Sequence, residues 1–175
     1  MKITDRRFFE LPALELAEAL LGKIFVHSTD DGRLIRRYIT EVEAYCGRED
    51  SACHAHKGLT KRTAPMFEAG GILYVYLCYG IFDLLNIVSG KKDAPEAVLI
   101  RGVEGATGPG RASRALAITR TLNREDLCRS SRVWLEDDGF RPAPERMERL
   151  KRVGISYAAP EDQEKLWRFK ISEHP

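Results

Sequence analysis

A chain of 175 residues with 43% hydrophobic and 31% charged residues can build one sizeable core without metal or disulfide support. Its formal charge of +2 points neither toward nor away from a polyanion. No apolar run approaches the roughly 18 residues of a membrane span. MKITDRRFFE lacks a signal-peptide core, and four scattered cysteines (Cys46, Cys53, Cys78 and Cys128) suit a reducing compartment better than a disulfide framework.

In chain order, Pro12 opens an apolar-periodic segment that Gly22 closes, the asymmetry expected of a helix. KIFVHS and RLIRRYITEVEAY follow as strands around Thr29-Asp30-Asp31-Gly32, a hairpin turn. Strict alternation along the second strand puts Ile39, Glu41 and Glu43 on one face. Residues 46–71 carry few periodic signals and many Gly, Pro, His and Lys, so we expect a structured loop with at most one short helix. A loop of that length in a small domain is usually functional. Ile72–Cys78 and Ile81–Val88 read as two strands turning at Tyr79-Gly80, and residues 97–104 as another. A short helix is expected after Gly108-Pro109-Gly110, a strand over Arg132–Glu136, a helix over Pro144–Lys151 and a last strand over Leu166–Ile171. Seven arginines against three acids between Arg101 and Arg132 suggest a basic face.

The chemistry concentrates between Thr40 and Asn86. Glu43 stands at a strand end with Tyr45 two positions on, a place from which a carboxylate can deprotonate water and stabilise a developing cation. Glu41, on the same face, is an equal candidate from the residues alone. Tyr74 and Tyr76 share a strand face, and Tyr79, at the expected hairpin tip, suits insertion between bases. Lys57, Lys61, Arg62, Lys91 and Lys92 flank that hairpin, cations beside an exposed ring. Cys46, Cys53, His54 and His56 match no common zinc spacing, so no metal or cofactor is expected.

Taken together, E-x-E-A-Y-x-G-x-E-D-x-A-x-H, K-R-T-A-P-M-F, Y-V-Y-x-x-Y-G, L-N-I-V, A-V-L-I-R-G-V-E, G-P-G-R-A-S-R-A-L-A-I, L-N-R-E-D-L and R-V-G-I-S-Y resemble the alkyladenine (3-methyladenine) DNA glycosylase family over nearly the whole chain. The resemblance implies a single α+β domain over residues 1–175, with a curved antiparallel sheet, surrounding helices and a protruding β-hairpin. It implies Glu43 as general base, Arg101 near the catalytic water, and Tyr45, His54, Tyr76 and Asn86 as the pocket for an extruded base. Tyr79 would fill the gap left in the duplex, with Lys57, Lys61, Arg62 and Arg111 as backbone contacts. It further implies an intracellular monomer acting on double-stranded DNA with damaged purines, in the nucleoid or the nucleus according to its source. Asp83, just past the hairpin tip, departs from the uncharged residue usual there. After Ser156-Tyr157-Ala158 the usual G-E-W gives way to APEDQEK, and the chain ends at His174-Pro175, short of the usual tail. Three other readings compete: a nucleic-acid reader with no need of Glu43, a bifunctional enzyme with Lys57 or Lys61 as a Schiff-base amine, and a small zinc protein built on Cys46, Cys53, His54 and His56.

Overall fold

The computed structural model describes residues 1–172, so the end at His174-Pro175 lies outside the described residues. Helix α1 (Ala13–Leu20) turns Ala13, Leu16, Ala17 and Leu20 inward, a spacing that buries one stripe of a short helix. Strands β1 (Ile24–Ser28) and β2 (Leu34–Tyr45) form the expected hairpin, with Ser28 opposite Leu34. Then come β3 (Leu73–Cys78), β4 (Phe82–Ser89), β5 (Glu96–Val103), β6 (Ala106–Thr107), α2 (Pro109–Ala115), β7 (Val133–Glu136), β8 (Met147–Leu150), α3 (Pro160–Glu164) and β9 (Arg168–Ile171). All pairings are antiparallel, in the order β3-β4-β5-β2-β1-β7, with β6 on β5 and β8 on β9. The twelve-residue β2 carries the curl. Its first half pairs with β1, and its second half lies between β5 and β9. The main core fills one face of this curled sheet beneath α1 and α2.

Sequence expectations fail at two places in the sheet, each for a physical reason. Pro144–Lys151 is not a helix: one 3-10 turn at Pro144–Arg146 leads into β8, which zips Met147–Leu150 against β9. The segment is rich in helix formers, yet an open strand edge and the stacking of Arg149 on the Phe169 ring (5.5 Å) outweigh local propensity. Nor does Ile39 share a face with Glu41 and Glu43. Ile39 pairs with Val103, Glu41 with Gly102 and Val42 with Ile100, so Thr40 and Arg101 both drop out of register. Ile39 and Val42 thereby both enter the core while Glu41 and Glu43 turn to the other face. Gly102 permits this close crossing, since a Cβ there would meet the Glu41 Cβ at 2.9 Å.

Residues 46–71 hold three 3-10 turns, at Gly47–Glu49, His54–Lys57 and Ala64–Phe67, rather than one short helix. Ala55, Met66 and Phe67 pack with Tyr74 and Val88 as a second, smaller core on the far side of the sheet. The loop is thus fixed against the strands that bear the candidate residues.

Candidate active site

Glu43 has no exposed surface, and both carboxylate oxygens are engaged. Oε1 accepts from the Val153 amide at 2.9 Å and lies 3.6 Å from the Arg101 guanidinium; Oε2 accepts from the Tyr45 hydroxyl at 2.8 Å. Burial pushes Glu43 above the ordinary carboxylate range, against the opposing pull of the Val153 amide, Arg101 and the Tyr45 hydroxyl. Burial also holds the Tyr45 hydroxyl well above its ordinary value, so it stays a proton donor. Arg101, re-aimed by its register slip, donates from Nε to Glu41 at 3.0 Å, and Arg168 donates to the same oxygen at 2.9 Å. Glu41 is therefore bound by two arginines beside Glu43.

A recess of about 30 Å³ lies in front, lined by Tyr45, His54, Tyr74, Tyr76, Asn86 and Tyr157 together with Ala52, Met66 and Ala97. That is room for about two waters. It adjoins a larger cleft of about 760 Å³, whose walls include Tyr45, His54, Arg62, Tyr76, Tyr79, Arg101, Val153 and Tyr157. Glu43 lines neither space. Its three partners Tyr45, Arg101 and Val153 do, so the carboxylate sits one side chain behind the wall.

His54 Nδ1 is 2.9 Å from the Tyr74 hydroxyl, and its ring meets Tyr76 edge-on at 4.7 Å. Burial, helped by the Arg62 charge, lowers its pKa to about 4, so the imidazole is neutral near pH 7. Its partner within the protein is the Tyr74 phenol. Asn86 anchors the floor through an Nδ2 bond to the Tyr74 carbonyl at 3.1 Å. At the hairpin tip Tyr79 and Gly80 both take positive φ (50° and 68°), with Ile81 N bonded to Cys78 O at 3.1 Å. A tyrosine in the left-handed region is uncommon, and this one leaves 86% of its surface exposed.

Lys57 and Lys61 are exposed on the loop but do not line the cleft, and Arg111 lines a separate groove with Gly105, Thr107 and Arg114. Of the arginine-rich stretch, Arg101, Arg120, Arg124, Arg129 and Arg132 pair with carboxylates, so the expected basic face is largely compensated. Asp83 pairs with Arg120 at 3.0 Å, which neutralises the charge beside the hairpin. Burial pushes Cys46 up to about 12 and Cys53 to about 11, so both remain thiols. Among the described residues no group of three or more His, Cys, Asp or Glu is placed to hold a metal ion.

Sequence reasoning gave no role to Tyr157, whose hydroxyl reaches across to the Ala52 carbonyl at 2.8 Å, nor to Arg152 behind Tyr45. Both lie in R-V-G-I-S-Y, a motif quoted for its resemblance alone. The divergent APEDQEK segment forms α3 and docks on the loop, where Asp162 accepts from the Ser51 amide at 2.9 Å and from the Ser51 hydroxyl.

Fold and site together define a single-domain α+β protein with a curled antiparallel sheet, an aromatic slot and a tyrosine-tipped hairpin at the slot's mouth. The model of the family described as Methylpurine-DNA glycosylase (MPG) matches residues 7–175. A Methanocella arvoryzae protein named "Putative 3-methyladenine DNA glycosylase" is 40% identical, the alignment covering all of this chain and 95% of that one. A "DNA-3-methyladenine glycosylase" of Arabidopsis thaliana is 38% identical over all of this chain and 74% of its own length. This chain belongs to the methylpurine-DNA glycosylase family. It is a DNA glycosylase, a hydrolase of N-glycosyl bonds, and its work is base-excision repair.

Proposed function

We propose that this domain, over residues 1–175, is a water-dependent, monofunctional glycosylase that releases damaged purines (alkylated, deaminated or etheno) from duplex DNA. The observation that carries this reading is the hydrogen bond joining Tyr45, a wall of the aromatic recess, to the buried carboxylate of Glu43. A base within a duplex is out of reach, so the nucleotide must swing out, and a weakly paired lesion lowers that cost. Tyr79 fills the vacated space, and Tyr45, His54 and Tyr76 stack on or bond the extruded base while Asn86 forms the floor. Tyr45 keeps its bond to Glu43 while the base stacks, and water reaches the carboxylate from the cleft, past Arg101 and Val153. Glu43 takes the proton, the water oxygen bonds C1′, and the C1′–N bond breaks with its electron pair leaving on the base. Arg101 orients the carboxylate. Lys57, Lys61 and Arg62 hold phosphates near the cleft, and Arg111 holds one farther along. Lys57 and Lys61 lie outside the cleft lining, which disfavours the Schiff-base variant. The protein acts within the cell, as a monomer.

The test is a release assay over duplexes that each contain one defined lesion. Release of at least one damaged purine, with no borohydride-trapped adduct, is expected; no release from any of them overturns the reading. The rate should also depend on pH in a defined direction. Glu43 works as its anion and its pKa is raised, so activity is lost as pH falls through that value. The acid limb of the single-turnover profile should therefore lie above the ordinary glutamate pKa of about 4.3. Tyr79→Gly removes the wedge while easing the left-handed backbone. Release from duplex should fall at least about tenfold, release from single strands should fall less, and thermal stability should hold.

A further inference from the structure

Residue Arg152 lies outside the lining of both the recess and the cleft, yet it bonds β2, the loop and α3, three pieces of the site's framework. Its side chain is fully buried. The guanidinium donates two bonds to the Asp50 carboxylate, at 2.6 and 2.9 Å, one to the Ala44 carbonyl at 3.0 Å and one to the Asp162 carbonyl at 3.2 Å. It also lies over two rings, 4.9 Å from the centroid of Tyr45 and 4.9 Å from that of Trp167. Asp50 in turn caps the loop that carries His54, accepting from the Cys46 and Ala52 amides. The next residue, Val153, donates its amide to Glu43.

We propose that Arg152 is a positioning residue for glycosidic cleavage: with Val153 it fixes the Tyr45 wall and the Glu43 carboxylate in one frame. This rests on the reading of Glu43 as the base. Two physical consequences follow. The planar guanidinium sets the plane of the Tyr45 ring and hence the aim of its hydroxyl at Glu43, a task the ammonium of lysine cannot perform. Loss of that hydroxyl bond removes one of the interactions that hold the Glu43 anion, so its pKa climbs further. A small misplacement behind a reacting group can cost about 100-fold in rate.

The test compares Arg152→Lys with the neutral pair Asp50→Asn/Arg152→Met, which leaves no buried charge unpaired if the single variant fails to fold. Folded variants are expected to bind lesion duplex within about threefold of the parent. Their single-turnover release should fall roughly 10- to 100-fold, with the acid limb of the pH profile moved to higher pH. Parental release rates with an unmoved acid limb overturn the proposal. So does a rate loss matched by an equal loss of binding with the acid limb in place, the signature of a purely structural residue. Glu43→Gln, assayed alongside, separates the two levels. If it retains release, the reading of Glu43 as base falls. If it is inactive while the Arg152 variants behave as the parent, only the inference about Arg152 falls.

Discussion

Replacing Glu43 with Gln is expected to slow base release roughly a thousandfold while leaving DNA binding within about threefold. The side chain keeps its length. The amide oxygen can still accept from the Val153 amide, and the Tyr45 hydroxyl can turn from donor to acceptor. Burial in fact favours the neutral side chain, because a buried carboxylate lacks its hydration. Loss of rate with stability held or raised is thus the signature of a group retained for chemistry. Single-turnover release and a binding titration on the same duplex measure the two halves. Near-parental release would move the base to another group. Glu41 would be a poor successor, since Arg101 and Arg168 both bind its Oε1.

The second large effect is on stability. Asp50 and Arg152 are both fully buried and doubly bonded to each other. Asp50→Ala leaves a guanidinium without its counter-ion in the interior and strips two caps from the loop, which should cost about 3–5 kcal/mol. That is a large part of the roughly 5–15 kcal/mol that holds an ordinary domain together. Urea or thermal unfolding measures it, and adding Arg152→Met should restore most of the loss because no lone charge remains. A loss below about 1 kcal/mol would mean that solvent relaxes the pair.

What could be read from the chain, and what could not, divides by sequence distance. The helix between Pro12 and Gly22, the hairpin turning at Tyr79-Gly80 and the strand ending in EVEAY all follow from local signals, and each is present. Tyr45, His54, Tyr76 and Asn86 are named as a pocket by the family resemblance of the motifs that carry them, and the fold brings them to one recess. The misses depend on distant pairing. Met147–Leu150 is a strand only because β9, some twenty residues later, offers an edge. Thr40 and Arg101 slip register together, and no alternation within either strand announces it. Arg152 meets Asp50 across about a hundred residues, and Tyr157 meets Ala52 likewise. The burial of Glu43 behind Tyr45 belongs to this group too, since one of its walls comes from Val153.

The pairing of Arg120, Arg124, Arg129 and Arg132 with the protein's own acids has a kinetic corollary. Cations already matched internally displace few condensed ions from a double helix, so these four arginines should add little to the salt dependence of DNA binding. On the role proposed for Tyr79, dwell time is then set by the step at which a nucleotide yields to the ring at the tip.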